Sequence, residues 1–430
     1  MTSEAPGECY VYMTLPGATT AVTAGRYALS TGRRGAPEGR FVYGRSYLER
    51  PNAVALDPVE LKLGPRTYST ISLRGVFGAL RDASPDYWGR RLIQRHLDNA
   101  QPTEMDYLLH SPDDRAGALG FGLNATPPAP KRIFNRTLEL SRLQAIADAI
   151  LTDEDPAAGN HNEVDDHDQV EALLMIGTSM GGARPKAVVE DDEGLWIAKF
   201  NRTDDAWNNA RVEHAMLVLA RTCGMLTAES RVVQAAGRDV LLVKRFDRER
   251  TEQGYQRARM VSALTLLRAD EAYELREKWS YVLLAEELRR VCADPRQNAR
   301  ELFRRMCFNA LISNTDDHPR NHAVIARETD WALSPAYDLT PSTPVSIERR
   351  DLAMECGDAG RIANATNLLS QHARFLLDAD EARAIVSTLE EQVRGLWYST
   401  ARAAGVTERD CDRIAGAFAY PGFSSEYARQ

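Results

Sequence analysis

The 430-residue sequence predicts an α+β fold in which a β-rich N-terminal subdomain precedes two lobes, the second of them mostly helical. Three observations carry this. Short apolar runs separated by Gly and Pro turns fill residues 1–125. A glycine-bearing hairpin and a further apolar strand occupy 126–250, and apolar residues recur at helical spacing through most of 251–430.

In the first part, Tyr10–Thr14, Arg40–Tyr43 and Ser69–Leu73 read as strands between turn signals such as Pro16-Gly17 and Gly35-Ala36-Pro37. Two helices close it: Tyr87–Asn99, entered through Ser84-Pro85-Asp86, and a shorter one near Met105–His110. Thr126-Pro127-Pro128-Ala129-Pro130 favours an extended connector, and the first boundary falls there. Leu138–Leu151 is a helix with Leu140, Leu143, Ala147 and Leu151 on one side. Asp153 to Glu171 then holds eight acidic residues and no basic one. His161 and His167 invite a metal reading, yet a loop of this composition offers no convergent ligand geometry, and a solvated run is preferred.

Thr178-Ser179-Met180-Gly181-Gly182-Ala183-Arg184-Pro185-Lys186 is a glycine loop with a basic end, followed by a hairpin of Ala187–Glu190 and Leu195–Phe200. Gly181 and Gly182 let backbone N–H groups approach anionic oxygens, and Lys199 is an ammonium on an apolar strand that calls for an anionic partner such as phosphate. Equally, the glycines serve a tight turn and Lys199 extends to water. In the helix Trp207–Cys223, Glu213 either braces Lys199 or lies at the surface. Val240–Val243 is a strand ending in Lys244-Arg245-Phe246-Asp247-Arg248, a hinge candidate. Helices follow at Ala272–Cys292, Ala299–Ser313 and Ala382–Ala404.

Charge and cysteine usage narrow the function. A net charge of -8 argues against a chain that itself grips a nucleic-acid backbone. Six cysteines without a close pair fit a reduced, cytoplasmic setting. The sequence opens on no signal peptide, and no apolar run reaches bilayer-crossing length, so no membrane partner is expected.

The chemistry concentrates in Asn314-Thr315-Asp316-Asp317-His318-Pro319-Arg320-Asn321 and Ser334-Pro335-Ala336-Tyr337-Asp338. Asp316 stands five residues before Asn321, the interval at which a kinase catalytic loop places its substrate-orienting Asp and metal-binding Asn. Asp338 follows where a second metal-binding Asp belongs. Between them, Ala323–Ala326 and Trp331–Leu333 read as a hairpin that returns Asp338 toward the loop. Taken alone, Asp316, Asp317 and His318 equally well cap a solvated turn. The order of hairpin lobe, hinge and helical lobe matches a bilobed protein kinase.

With five motifs in order, the chain resembles the HipA serine/threonine kinases, toxins of bacterial type II toxin-antitoxin systems. The motifs are Ser179–Lys186, Trp196-Ile197-Ala198-Lys199-Phe200, Val243–Arg248, Asn314–Asn321 and Pro335–Asp338. A looser likeness to the family's N-terminal subdomain runs through Phe41-Val42-Tyr43, Asp106–Leu109 and Gly117–Phe121. The resemblance implies a HipA-like fold and ATP and Mg²⁺ as cofactors. It makes Asp316 the catalytic Asp, Asn321 and Asp338 the metal ligands, and Lys199 the grip on the nucleotide phosphates. Ser179, Gly181, Gly182 and Lys186 would belong to the nucleotide loop, and the hinge around Lys244 and Phe246 would hold adenine. Arg320, where the family commonly has Lys, would neutralise the transferring phosphoryl. Ser179 corresponds to a site of inhibitory autophosphorylation. A small helix-turn-helix, HipB-like antitoxin is the implied partner, with DNA reached through it, and an aminoacyl-tRNA synthetase is the implied substrate class. A small-molecule kinase on the same scaffold and a non-catalytic co-repressor are the alternatives.

Overall fold

The computed structural model describes residues 7–32, 35–97, 101–130, 134–151, 184–342 and 346–424. Contacts group the chain into two compact units. One gathers Met1–Phe200, Lys244–Val261 and Ile325–Thr329; the other gathers Asn201–Val243, Ser262–Val324 and Asp330–Gln430. The α+β architecture is observed, with sheets concentrated in the first unit and long helices in the second.

In the first unit, β1 (Glu8–Thr14), β2 (Ala21–Thr31), β3 (Pro37–Tyr43), β4 (Thr67–Thr70) and β5 (Leu119–Gly122) form an antiparallel sheet in the order β4-β3-β2-β1-β5. β2 has no strand signal in the sequence because Thr23, Gly25 and Arg26 interrupt its apolar residues. That glycine has a packing reason: a Cβ there would meet the Val42 carbonyl at 2.3 Å and the Phe41 ring at 2.7 Å. Phe41 packs edge-on against Tyr43 at 4.9 Å, and Tyr43 stacks on Tyr47 at 5.7 Å. The buried Tyr43 hydroxyl donates to the Leu61 carbonyl and accepts from the Leu56 amide, so burial of this ring leaves no polar group unpaired. The expected strand Ser69–Leu73 stops at Thr70, because Leu73 and Arg74 turn into left-handed backbone with φ of 48° and 59°.

Helices α1 (Tyr87–His96) and α2 (Glu104–His110) follow, the latter started by a reciprocal cap between Thr103 and Asp106. The short β6 (Asn135–Arg136) pairs in parallel with β7 (Lys186–Asp191), which turns back as β8 (Gly194–Phe200). Helix α3 spans Leu140–Leu151.

The second unit holds the hairpin β9 (Ser230–Ala235) and β10 (Arg238–Lys244). Its helices are α4 (Asn209–Thr222), α5 (Tyr281–Val291), α6 (Pro295–Leu311) and α7 (Ala379–Ala403). The single helix expected over Ala272–Cys292 is broken. Tyr273–Lys278 forms a 3₁₀ turn, Trp279 is extended with its indole N–H donating to the Asp270 carbonyl at 2.9 Å, and Ser280 caps α5 through the Leu283 amide. α6 is the central helix, with Leu302, Phe303, Met306, Cys307, Ala310 and Leu311 fully buried. It starts four residues before the periodic stretch, at Asp294-Pro295, a capping carboxylate followed by proline in the first turn. All six cysteines are buried free thiols. No helix of the described residues is long and apolar enough to cross a membrane.

Candidate active site

The acidic loop leaves α6 through Ile312 and Ser313, the latter in left-handed backbone with φ 54°. Beneath it lies Asp317, 1% exposed. One carboxylate oxygen accepts from the Asn309 amide at 2.8 Å, from His322 Nε2 at 2.7 Å and from the Tyr281 hydroxyl. Burial, reinforced by the Asp317 charge, pushes the Tyr281 hydroxyl well above its usual pKa, so it stays a donor. Asn309 also accepts from the Asn314 side chain at 3.1 Å, which ties the loop back to the helix that carries it. These partners make Asp317 the anchor of the loop.

Asp316, by contrast, is exposed. Partial loss of hydration together with the Asp338 and Asp317 carboxylates raises its pKa above the ordinary carboxylate value, with His318 opposing. The Asp316 carbonyl accepts from the His318 amide at 2.8 Å and from the Asn321 side chain at 3.4 Å, and the loop then tightens into a 3₁₀ turn over Pro319–Asn321. Asn321 is 5% exposed, and its side-chain carbonyl oxygen has no hydrogen-bond partner among the described residues. A buried amide oxygen without a donor is costly unless something electropositive meets it.

Asp338 is held against this loop from several directions. The Asn314 amide donates to the Asp338 carbonyl at 3.4 Å, the Thr315 hydroxyl donates to Ser342 Oγ at 2.7 Å, and Tyr337 donates to the Arg320 carbonyl at 2.7 Å. Asp338 has φ 60°, a conformation uncommon for a residue with a side chain and found often where a side chain must be aimed. The structure therefore brings Asp316, Asn321 and Asp338 to one place. The Arg320 guanidinium is engaged by Glu271. Among the described residues no cluster of three or more His, Cys, Asp or Glu side chains is arranged to hold a metal. Asn321 and Asp338 nevertheless suit Mg²⁺, which characteristically takes one or two protein oxygens and completes its shell with water and substrate phosphate. The donorless Asn321 oxygen is the observation that fits.

The remaining candidates belong to the first unit, apart from Glu213. Lys199 on β8 stands directly opposite Lys186 on β7. Lys186 is 1% exposed and pairs at 2.5 Å with Asp86, itself 5% exposed. Its ammonium is thus committed to the interior rather than open at the end of the glycine loop. Lys244 lies over the Trp196 ring at 5.4 Å, and the Phe246 carbonyl accepts from Arg327 at 2.8 Å. Glu213 is a buried residue of α4 and belongs to the second unit, Lys199 to the first. Ser179, Gly181, Gly182 and the acidic stretch 153–171 lie outside the described residues.

Sequence reasoning passed over the role of the segment after β10. Asp247 is fully buried and receives Arg245 Nε at 2.9 Å, Arg245 Nη2 at 2.7 Å, Arg248 Nη1 at 2.7 Å and the Gly117 amide at 2.9 Å. Burial alone would raise its pKa, but the two guanidinium groups outweigh it and hold the carboxyl far below the ordinary value. Both arginines also donate to main-chain carbonyls of 114–117, at 2.6 and 2.8 Å from Arg245 and at 2.8 and 2.5 Å from Arg248. The concentration of charge in Lys244–Arg248, right after an apolar strand, was the available signal, though nothing local says which charges turn inward.

The chain is similar to several known proteins. A protein named "Putative kinase Y4dM" from Sinorhizobium fredii is 33% identical over 241 residues, covering 52% of this chain and 57% of the relative. A "Putative kinase" from Haemophilus influenzae is 24% identical over 194 residues, covering 39% of this chain and 54% of its own. The chain thus spans little more than half the length of each. HipA of Shewanella oneidensis, solved with HipB and operator DNA, superposes with a TM-score of 0.66 over 95% of this chain and 94% of its own at 16% identity, a likeness of fold. Residues 178–397, just over half of the chain, match the HipA-like C-terminal domain, and the chain belongs to that family.

Proposed function

We propose that the protein is an ATP- and Mg²⁺-dependent serine/threonine kinase of the HipA type. The observation that carries the reading is the pairing of an outward Asp316 with a buried Asn321 whose side-chain oxygen lacks a donor, both beside Asp338. Asp316 accepts the proton of a substrate hydroxyl, and its solvent-facing position leaves room for a polypeptide to present one. Asn321 and Asp338 hold the metal, which when bound neutralises phosphate charge. Lys199 meets the nucleotide phosphates. Arg320, held by Glu271, positions the turn that carries Asn321 through its carbonyl bond with Tyr337.

In the cell, the same reading makes the chain a toxin restrained by a small helix-turn-helix antitoxin, as HipA accompanies HipB on operator DNA in the Shewanella complex. The net charge of -8 suits a chain brought to DNA by a partner. Its substrate is a translation-related protein, with aminoacyl-tRNA synthetases as the first class to test, and Ser179 is the autophosphorylation site. Transfer of labelled phosphate from ATP to cell-extract protein, measured with and without Mg²⁺, tests the activity. Labelling confined to metabolites, or unaffected by Asp316→Ala, would refute it.

A further inference from the structure

Two residues adjoin the reacting groups without belonging to them. Asp317 follows Asp316, and His322 follows Asn321. Their side chains meet in the interior, at 1% and 2% exposure, where His322 Nε2 donates to Asp317 Oδ2 at 2.7 Å. This bond staples together the two ends of the turn that separates Asp316 from Asn321. Main-chain bonds shape each half of that turn, from the His318 amide to the Asp316 carbonyl at 2.8 Å and from the Asn321 amide to the His318 carbonyl at 2.9 Å. The direct link across it, from the Asn321 side chain to the Asp316 carbonyl, is 3.4 Å, long for an N–H···O bond. The staple is the shorter side-chain bond spanning the turn.

Both ends of the staple are anchored. The His322 carbonyl accepts from the Ala263 amide at 2.8 Å, and its ring stands edge-on to Tyr281 with centroids 5.4 Å apart. Asp317 is tied to α6 through Asn309 and to the start of α5 through Tyr281. An apolar ring at position 322 would pack against Tyr281 as well, without the cost of burying an imidazole beside a carboxylate. What only a donor supplies is the link to Asp317. We infer that His322 is a positioning residue for phosphoryl transfer: through Asp317 it fixes the spacing between the proton-accepting Asp316 and the metal-holding Asn321. The inference rests on the kinase reading above, and it gives His322 no contact with substrate.

Mn²⁺ stands in for Mg²⁺ in the test, because the EPR signal of the free ion reports binding without turnover. The full chain is titrated with Mn²⁺ in the presence of ADP. His322→Phe keeps a ring against Tyr281 and removes the donor, and Mn²⁺ affinity should fall roughly 10–100-fold, the scale for losing a group that orients a metal ligand. His322→Gln places a donor near the position of Nε2 and should restore most of that loss. Tyr281→Phe takes a different donor from the same Asp317 oxygen but does not join the two ends of the turn, so it should leave the affinity near the wild-type value. If His322→Phe does not fold, His322→Met serves as the apolar variant. Wild-type affinity in the apolar variant, no rescue by His322→Gln, or an equal loss in Tyr281→Phe would overturn the assignment. A wild-type chain that takes up no Mn²⁺ with ADP would overturn the kinase reading itself, and the role of His322 with it.

Discussion

Two buried aspartates show how differently this chain treats a carboxylate. Asp247 receives four donors on its two oxygens and sits between two guanidinium groups. Asp317 is equally buried but receives its three donors on one oxygen, from an amide, an imidazole and a phenol. Immediately above it are an exposed acid, Asp316, and a buried amide oxygen with nothing to accept, on Asn321. Around Asp247 nearly all hydrogen-bonding capacity is spent internally, which is the signature of a structural cluster. Around Asp317 one fully used oxygen underlies groups that lack partners among the described residues, His322 Nδ1 and the Asn321 side-chain oxygen, and unspent capacity is what a site keeps for its ligands.

If that contrast is right, substitutions should separate activity from stability. The largest effect is expected for Asp316→Ala: phosphotransfer falls by roughly 10²–10⁴-fold, the range for loss of a general base. Its unfolding free energy stays within about 0.5 kcal/mol, as for an exposed position. A substantial stability loss would place Asp316 in the structural class instead. Asp247→Ala should do the reverse, costing about 3–5 kcal/mol in urea unfolding because two buried guanidinium groups lose their counter-charge. A neutral result there would mean the cluster does not hold its unit together.

Tyr281→Phe is intermediate. Removing one of three donors to Asp317 should cost about 1 kcal/mol of stability and slow phosphotransfer less than Asp316→Ala does. A rate loss as large as that of Asp316→Ala would make Tyr281 part of the chemistry rather than its support. The smallest effect concerns pH. Only ionised Asp316 accepts a proton, and its pKa lies above the ordinary carboxylate value, so activity should fall with decreasing pH through that raised value. His318 opposes the rise, so His318→Ala should move the acid limb of the kcat profile to higher pH. A limb that stays put or moves down would remove Asp316 as the titrating group.

The separation between these two regions also marks what could be read from sequence. Asp316, Asn321 and Asp338 are close in the chain and joined by one hairpin, so spacing alone brings them together. The breadth of α4, α6 and α7 follows from apolar periodicity. The partners that decide charge are distant: Asp86 lies 100 positions before Lys186, Tyr281 lies 36 before Asp317, and Gly117 lies 130 before Asp247. No local pattern distinguishes a lysine facing a phosphate from one facing Asp86. β2 was invisible for another reason, since Gly25 and the polar Thr23 and Arg26 break its apolar pattern even though Tyr27 is fully buried.

The Asp247 cluster also bears on how the protein can be cut. Its arginines use up the carbonyls of residues 114–117, and Lys186 uses up Asp86. A fragment starting after residue 125 would keep Arg245, Arg248 and Lys186 but lose the acceptors that neutralise or satisfy them. The strand-rich first segment is therefore a folding partner of β7 and β8, not a removable appendage. Expressed alone, the 126–430 portion should be insoluble or molten, and adding residues 1–125 as a separate polypeptide should restore it.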